Sequence, residues 1–410
     1  MENIDINANK SEAARCLKCR NARCSAACPV RTDIPALMAL YLQGKKEEAA
    51  DILLRNNPMA AISSRVCDWS RVCLSRCILN ARQSPVNWHS IEAEIAGEAI
   101  FRMKITTGEA TGKSVGIVGA GPAGISAALW LREAGHDVVV YDSFERPGGV
   151  LRYGIPEFRL DRKFVDRYET LLEEAGVTFR GNTFVGRDIS LQELRERHDA
   201  VLIAAGAGIP RKLDVPGKEG ANVIYALDYL KDPSAYNLGR RVIVIGGGNV
   251  TMDACRTAVR QGRDTTVYYR KSFENMPANA IEVELAREEG VKFVLFEVPV
   301  GFRDGKAIMR KCENVLKPDG RVSTRMIEGT DHEVEFDTML VAISANVDFS
   351  IFGEDKPVLN RYGWPETNDS QQTSLKDVFI AGDFILGPAT VVDAVASAKK
   401  AVAGILSYLG

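Results

Sequence analysis

Seven of the nine cysteines fall within the first 77 residues, as Cys16-x2-Cys19-x4-Cys24-x3-Cys28-Pro29 followed by Cys67-x5-Cys73-x3-Cys77. Thiolates in such runs are the usual ligands of a four-iron cluster, and the fourth cysteine of a run often serves the other cluster of a pair. Two clusters need eight ligands, so seven thiolates imply one ligand of another type. Structural zinc is the rival reading. Zinc sites normally pair Cys-x2-Cys elements or add histidine, and the only histidine nearby is His89. A disulfide framework suits small secreted scaffolds, which a chain of 410 residues without a secretory signal is not. Cys255 and Cys312 stand alone and read as core thiols. No Cys-x2-Cys or Cys-x4-Cys sits beside the nucleotide motifs described next, which argues against electron relay to a protein disulfide.

The segment Ser114 to Gly124 reads SVGIVGAGPAG, a strand running into Gly-x-Gly-x-x-Gly and a helix. Gly119 permits the tight turn, Gly121 lets the backbone approach a pyrophosphate, and Gly124 brings the helix close to the strand. Pro122 and Ala123 open that helix, whose N-terminus offers N–H groups to phosphate. Asp142, followed by Ser143, ends the next strand, where a carboxylate can accept from a ribose 2'-hydroxyl. A second unit, Val242 to Asp253, reads VIVIGGGNVTMD, with Gly246, Gly248, Asn249 and Val250 at its turn and Thr251 in place of the third glycine. That substitution predicts a helix packed slightly farther from its strand. The following strand ends in Arg270-Lys271 where an NAD site carries an acid, so a 2'-phosphate, and thus NADP(H) over NAD(H), is expected.

The elements that must position these groups are legible in outline. Apolar residues at helical spacing mark Ile34 to Leu42 and Lys45 to Leu54. Strands at Val115 to Val118, Asp137 to Tyr141 and Ala200 to Ala204, with a helix over Ile125 to Ala134, predict a mostly parallel sheet covered by helices. Lys212 to Leu238 is polar, contains Gly and Pro, and reads as a connector. The expected fold class is α/β: two Rossmann-like nucleotide-binding domains preceded by a helical iron-sulfur domain. A net charge of -2 with no block of like charge excludes a nucleic-acid footprint. Met1 to Lys10 is polar and no apolar run is long enough to span a bilayer, so a cytoplasmic location is expected.

Four further segments are specific: Gly148 to Leu160 (GGVLRYGIPEFRL), Gly246 to Asp253, Asn275-Met276-Pro277, and Ala381-Gly382-Asp383 with Gly387 to Val392 (GPATVV). With the cysteines they resemble the glutamate synthase small subunit family, which also includes the N-terminal part of dihydropyrimidine dehydrogenase and the large subunit of electron-bifurcating transhydrogenases. The resemblance covers essentially the whole chain. It implies FAD on the first unit, with Gly148, Gly149, Leu151 and Arg152 along the cofactor and Gly206 among its contacts. Gly382 and Asp383 would lie at the ribityl-phosphate end, and Ala389, Thr390 and Val391 at the isoalloxazine. The nicotinamide domain becomes an insertion within the FAD domain, giving boundaries of 1–110 (clusters), 111–238 (FAD, first part), 239–345 (NAD(P)) and 346–410 (FAD, second part).

By the same resemblance Cys16, Cys19, Cys24 and Cys77 hold one 4Fe-4S cluster, and Cys28, Cys67 and Cys73 hold the other. The eighth ligand is a Glu or Gln fifteen residues after the last cysteine, here Glu92. Three departures stand out. Val250-Thr251 replaces the usual Thr-Ala, Ser344-Ala345-Asn346 replaces Gly-Gln and a following proline, and Trp88-His89 replaces a small hydrophobic-glycine pair. The implied activity is hydride exchange between NADP(H) and FAD and single-electron transfer through two clusters to or from at least one other redox subunit. An electron-transfer scaffold with a decayed nicotinamide site is the alternative.

Overall fold

A computed structural model describes residues 6–410, so the first five residues of the polar N-terminal stretch lie outside the described residues. The chain forms two compact units. One takes the chain up to Arg152, then Glu157–Ala207 and Val347–Gly410; the other takes Tyr153–Pro156 and Gly208–Asn346.

The first unit opens with six helices: α1 (Ile6–Ala14), α2 (Arg23–Ala27), α3 (Ile34–Leu42), α4 (Lys46–Asn56), α5 (Ala60–Val66) and α6 (Trp88–Ala99). Their sequence reasons are local. In α3, Asp33 accepts the Ala36 N–H, Pro35 sits in the first turn, and Ile34, Leu37, Met38 and Tyr41 form one buried stripe. The helices are pinned together by Glu94 of α6, which accepts from Asn9 (2.7 Å), Tyr41 (2.7 Å) and Lys46 (3.0 Å). Burial disfavours the Glu94 carboxylate, yet these partners hold its pKa below the usual carboxylate range.

Next come β1 (Ser114–Val118), α7 (Pro122–Glu133), β2 (Asp137–Tyr141), α8 (Val150–Tyr153), α9 (Arg162–Glu174), β3 (Thr178–Arg180), α10 (Leu191–Arg197) and β4 (Ala200–Ile203). Val115, Ile117, Val201 and Leu202 are fully buried, each worth about 1.5–3 kcal/mol over exposure, which is why these runs are apolar on both faces.

The second unit is entered at β5 (Ile209–Pro210). It continues through β6 (Val223–Tyr225), α11 (Ala226–Lys231), β7 (Arg241–Gly246), α12 (Asn249–Arg260), β8 (Asp264–Tyr269), α13 (Ala280–Glu288) and β9 (Lys292–Leu295). Four antiparallel strands follow, β10 (Glu297–Arg303), β11 (Lys306–Leu316), β12 (Val322–Met326) and β13 (His332–Glu335), then β14 (Thr338–Ala342) and β15 (Ala345–Asn346). Its parallel sheet has the order β6-β14-β7-β8-β9. The stretch from Lys212 to Leu238, expected as a connector, therefore supplies an edge strand and a helix whose Ala226, Tyr229 and Leu230 enter this core. The longer segment of this compact unit runs from Gly208 to Asn346 and so takes in β6 and α11. The sequence misled because β6 is three residues long and only partly buried, too short to show a period.

The chain then returns to the first unit as β16 (Val378–Ile380), α14 (Asp383–Leu386) and α15 (Val391–Leu409). β16 pairs in parallel with β4, completing the order β16-β4-β1-β2-β3, and α15 packs against α7. The nucleotide unit from Gly208 to Asn346 is thus inserted between two parts of one sheet. Within the first unit the helical segment is bound to the sheet lobe: Tyr168 donates to the Pro58 carbonyl (2.6 Å), Trp130 to Arg55 (3.1 Å) and Lys399 to Asn56 Oδ1 (2.6 Å).

Candidate nucleotide and iron-sulfur sites

The cysteines line two cavities. Cys16, Cys19, Cys24 and Cys77 border one, with Ile34, Met38 and Trp88 in its wall. Cys28, Cys67 and Glu92 border the other, with Trp69 and His89. Cys73 lies on both, so the cavities share a wall. All nine thiols are unpaired. Among the described residues no three His, Cys, Asp or Glu groups are placed to hold a single ion. The thiols border spaces, as the ligands of a cluster do.

The second cavity is a poor place for negative charge without a cation. Burial pushes the Glu92 carboxyl up to about 8, relieved only by a hydrogen bond from Trp88. Burial and then the Glu92 charge push up the thiols of Cys67 and Cys73. A site in which Cys67, Cys73 and Glu92 resist ionising alone suits a bound cationic group that makes ionisation favourable. His89 adds an unanticipated feature. Its ring stacks on Trp69 with centroids 3.9 Å apart, burial lowers its pKa to about 4, and its Nδ1 is buried with no hydrogen-bond partner. The sequence reading missed Trp69, Ser63 and Val392, which also border this cavity; nothing in their types or spacing announces it.

At the first nucleotide motif Gly119 has φ +101°, and a Cβ there would come within 2.4 Å of the Ala204 carbonyl. A Cβ on Gly124 would lie 1.9 Å from the Gly119 carbonyl, whereas one on Gly121 would meet no protein atom within 4 Å. The open space over Gly121, at the N-terminus of α7, is a cradle of the kind a pyrophosphate fills. Gly149 closes on it, since its Cβ would fall 2.8 Å from Gly121 Cα, and the Gly148 N–H bonds the Ala120 carbonyl (2.8 Å). Gly382, at φ +65°, abuts Ala123 from the returning segment, and Gly206 leaves open space after β4. Burial raises the Asp383 pKa to about 6, against a backbone N–H of Ala389 that stabilises its charge. Several expected contacts carry structural duties as well. Asp142 accepts the N–H groups of Ala120 (2.6 Å) and Phe144 (2.8 Å), Leu151 is fully buried, and Thr390 caps α15 with Asp393. The Arg152 guanidinium is turned to Asp166 (2.8 Å), Glu169 (3.1 Å) and the Pro147 carbonyl (2.7 Å). Ser143 is exposed, and Ala389 and Val391 sit at the open start of α15.

The second motif repeats this logic with one change. Gly246 has φ +148°, and Gly248 is open. A Cβ on Gly246 would lie 2.5 Å from Thr251 Oγ1, so the missing side chain there makes room for Thr251, whose hydroxyl accepts the Gly248 N–H (3.2 Å). Asn249 accepts the Asn279 N–H (2.9 Å) and Ala278 N–H bonds the Gly247 carbonyl (3.0 Å), tying the loop that contains Asn275-Met276-Pro277 to the glycine turn. Val250 is half-buried. Arg270 is exposed at the end of β8, while Lys271 donates to the Val322 carbonyl of β12 (2.6 Å). The pair is therefore unequal, a difference set by β12 and invisible in the sequence. Ser344, at a position expected to carry glycine, holds φ +105°. That conformation costs a non-glycine residue about 1–2 kcal/mol. Ser344→Gly should gain about 0.5–1 kcal/mol net of chain entropy, a rise of about 2 °C in Tm by calorimetry; a fall would refute the strain.

Residues 113–398 match the family model of pyridine nucleotide-disulphide oxidoreductases, and residues 2–103 match dihydropyrimidine dehydrogenase domain II, 4Fe-4S cluster. The glutamate synthase (NADPH) small chain of Azospirillum brasilense is 35% identical over 98% of this chain and 89% of that one. The chain belongs to the glutamate synthase small subunit family. The Escherichia coli (strain K12) small chain is 34% identical over 98% of this chain and 91% of its own length. The fold is also that of Mycobacterium tuberculosis FprA in complex with NADPH, at TM-score 0.63 and 18% identity over 73% of this chain and 84% of that one. Lactococcus lactis thioredoxin reductase shares it at TM-score 0.55 and 20% identity, covering 72% and 99%. As a member of the family, the chain is a nicotinamide- and FAD-dependent oxidoreductase with a 4Fe-4S domain at its N-terminal end. Among the described residues no helix is long and apolar enough to cross a membrane.

Proposed function

We propose that this chain is the nicotinamide-linked subunit of a heteromeric oxidoreductase, exchanging hydride with NADP(H) and single electrons, through two 4Fe-4S clusters, with a partner polypeptide. The observation that carries the reading is the continuity of its sites: Cys73 borders both cavities, and the second reaches Val392 in the first turn of α15. Bound FAD supplies the change from a two-electron hydride to single electrons. The chain's own residues bind and orient. Cys16, Cys19, Cys24 and Cys77 are the ligand set of the first cavity; Cys28, Cys67, Cys73 and Glu92 are that of the second. The Gly119-to-Gly124 turn and α7 hold the pyrophosphate, Gly382 and Asp383 the ribityl-phosphate end, and the start of α15 the isoalloxazine. Hydride transfer asks for stacked rings and exclusion of water and for no protein acid or base, so no catalytic residue is assigned. The Azospirillum brasilense and Escherichia coli small chains share nearly the full length of this protein, which supports a large partner that carries the remaining chemistry. Nine unpaired thiols accord with a reducing, cytoplasmic setting.

A scaffold with a decayed nicotinamide site is the competing reading, motivated by Ser344. Anaerobic mixing with each nucleotide decides between them. Flavin absorbance should bleach faster with NADPH than with NADH. Arg270→Ala should cut that preference by about tenfold or more, the 1.5–3 kcal/mol of a charge-assisted bond to phosphate. Lys271→Ala should cost less, because its ammonium already serves Val322. Equal rates with both nucleotides in the wild type would defeat the NADP assignment; no bleaching with either would favour the scaffold.

A further inference from the structure

Charge is distributed unevenly about the first cavity. Residues 15–32 contain Arg15, Lys18, Arg20, Arg23 and Arg31 and no Asp or Glu; residues 69–91 contain Arg71, Arg76 and Arg82 and none either. This occurs in a chain whose 52 cations are outnumbered by 54 carboxylates. Three of the cations are engaged internally, Arg15 with Glu12 (2.7 Å), Arg71 with Asp68 (3.3 Å) and Arg31 with the Ala26 carbonyl (2.5 Å). The other five, Lys18, Arg20, Arg23, Arg76 and Arg82, are exposed, and none forms an ion pair among the described residues. Arg23 and Arg76 border the cavity itself. Beside Arg23 and Arg76 the cavity is bordered by two large exposed apolar side chains, Leu17 at 58% exposure and Ile78 at 46%. The cysteines of this cavity that are not shared with the second are only half-buried.

An apolar centre ringed by unpaired charge of one sign is the anatomy of a transient protein interface, in which complementary charge steers encounter and the apolar core seats it. We infer that this face docks the carboxylate-rich face of a soluble one-electron carrier protein, and that the first cavity is where electrons leave or enter the chain. The inference rests on the proposed cluster role. It adds the partner's chemistry and the exit. Nucleic acid shares the taste for cations, but it would not use Leu17 and Ile78, and the second cavity is bordered by Val392 of α15 and by none of these cations.

The test uses anaerobically purified holoprotein and, as probe, an acidic plant-type 2Fe-2S ferredoxin, with basic cytochrome c and a DNA duplex as controls. Ferredoxin binding, read by interferometry, should weaken by about tenfold or more between roughly 50 and 300 mM salt. Lys18→Glu combined with Arg20→Glu and Arg82→Glu should weaken it by a similar factor at low salt. Iron content and the spin-resonance signals establish that the variant is intact. If they are lost, Arg82→Glu alone, outside both cysteine runs, takes its place. Binding that ignores salt and charge reversal, or cytochrome c or DNA binding as tightly as ferredoxin, overturns the docking surface. Cluster signals that fail to respond to NADPH in the wild type would instead sink the cluster role, so the two failures are distinguishable.

Discussion

Cys67→Ala is expected to remove roughly half of the iron and sulfide and one of two spin-resonance signals, while NADPH still bleaches the flavin at close to the wild-type rate. Cys67 ends α5 through its backbone N–H, which bonds the Ser63 carbonyl and survives the change, while its thiol borders only the second cavity, so its loss leaves the proposed first donor set of Cys16, Cys19, Cys24 and Cys77 complete. Electron delivery to one-electron acceptors should fall by at least about tenfold, since the second cavity is the one that reaches α15. Glu92→Ala should affect the same signal and not the other. Cys255→Ala is the control: Cys255 is fully buried in the core of the second unit, so that change should cost about 1 kcal/mol of stability and no iron. Iron, sulfide and both signals unchanged in Cys67→Ala and Glu92→Ala would refute the assignment of the second donor set.

Gly124→Ala and Gly121→Ala, three residues apart, should fail in different ways. The added methyl at 124 meets the Gly119 carbonyl at 1.9 Å, so α7 must move off β1. Overpacking against backbone costs about 3 kcal/mol or more, and the variant should be isolated with a lowered Tm and little flavin. At 121 the backbone is extended, with φ -81°, and the methyl meets no protein atom within 4 Å. The apoprotein should keep its stability within about 0.5 kcal/mol. Flavin affinity should nevertheless drop by about a hundredfold, because the methyl stands where the pyrophosphate must approach. Equilibrium flavin titration and thermal melts of the two apoproteins make the comparison. Equal flavin affinity in Gly121→Ala and wild type would mean that the open space over Gly121 is not the phosphate cradle.

The amino-acid sequence by itself determined the parts that obey local rules. Spacing of cysteines and glycines is a one-dimensional signal, because a tight turn or a close approach needs a residue type at a fixed offset. The strands entering Gly119 and Gly246 were legible because β1 and β7 are nearly continuous apolar runs. Partnerships between distant segments were decided by tertiary structure. β6 belongs to the second sheet because Val223 to Tyr225 pair with β14, more than a hundred residues later. The four-stranded antiparallel element from β10 to β13 left no cue that the parallel pattern predicted, yet its β12 is what claims Lys271 and leaves Arg270 exposed. Arg152 likewise reads as a cofactor contact in sequence and is turned by the fold to carboxylates on α9. Long charged side chains have many reachable partners, so their residue type fixes what they can bind, and only packing fixes which partner they find. The family resemblance implied a division of the cysteines into two sets, but the cavity that each one borders is a matter of packing. Cys24 and Cys28 are four residues apart, but they border different cavities because one lies within α2 and the other ends it, where the chain turns away.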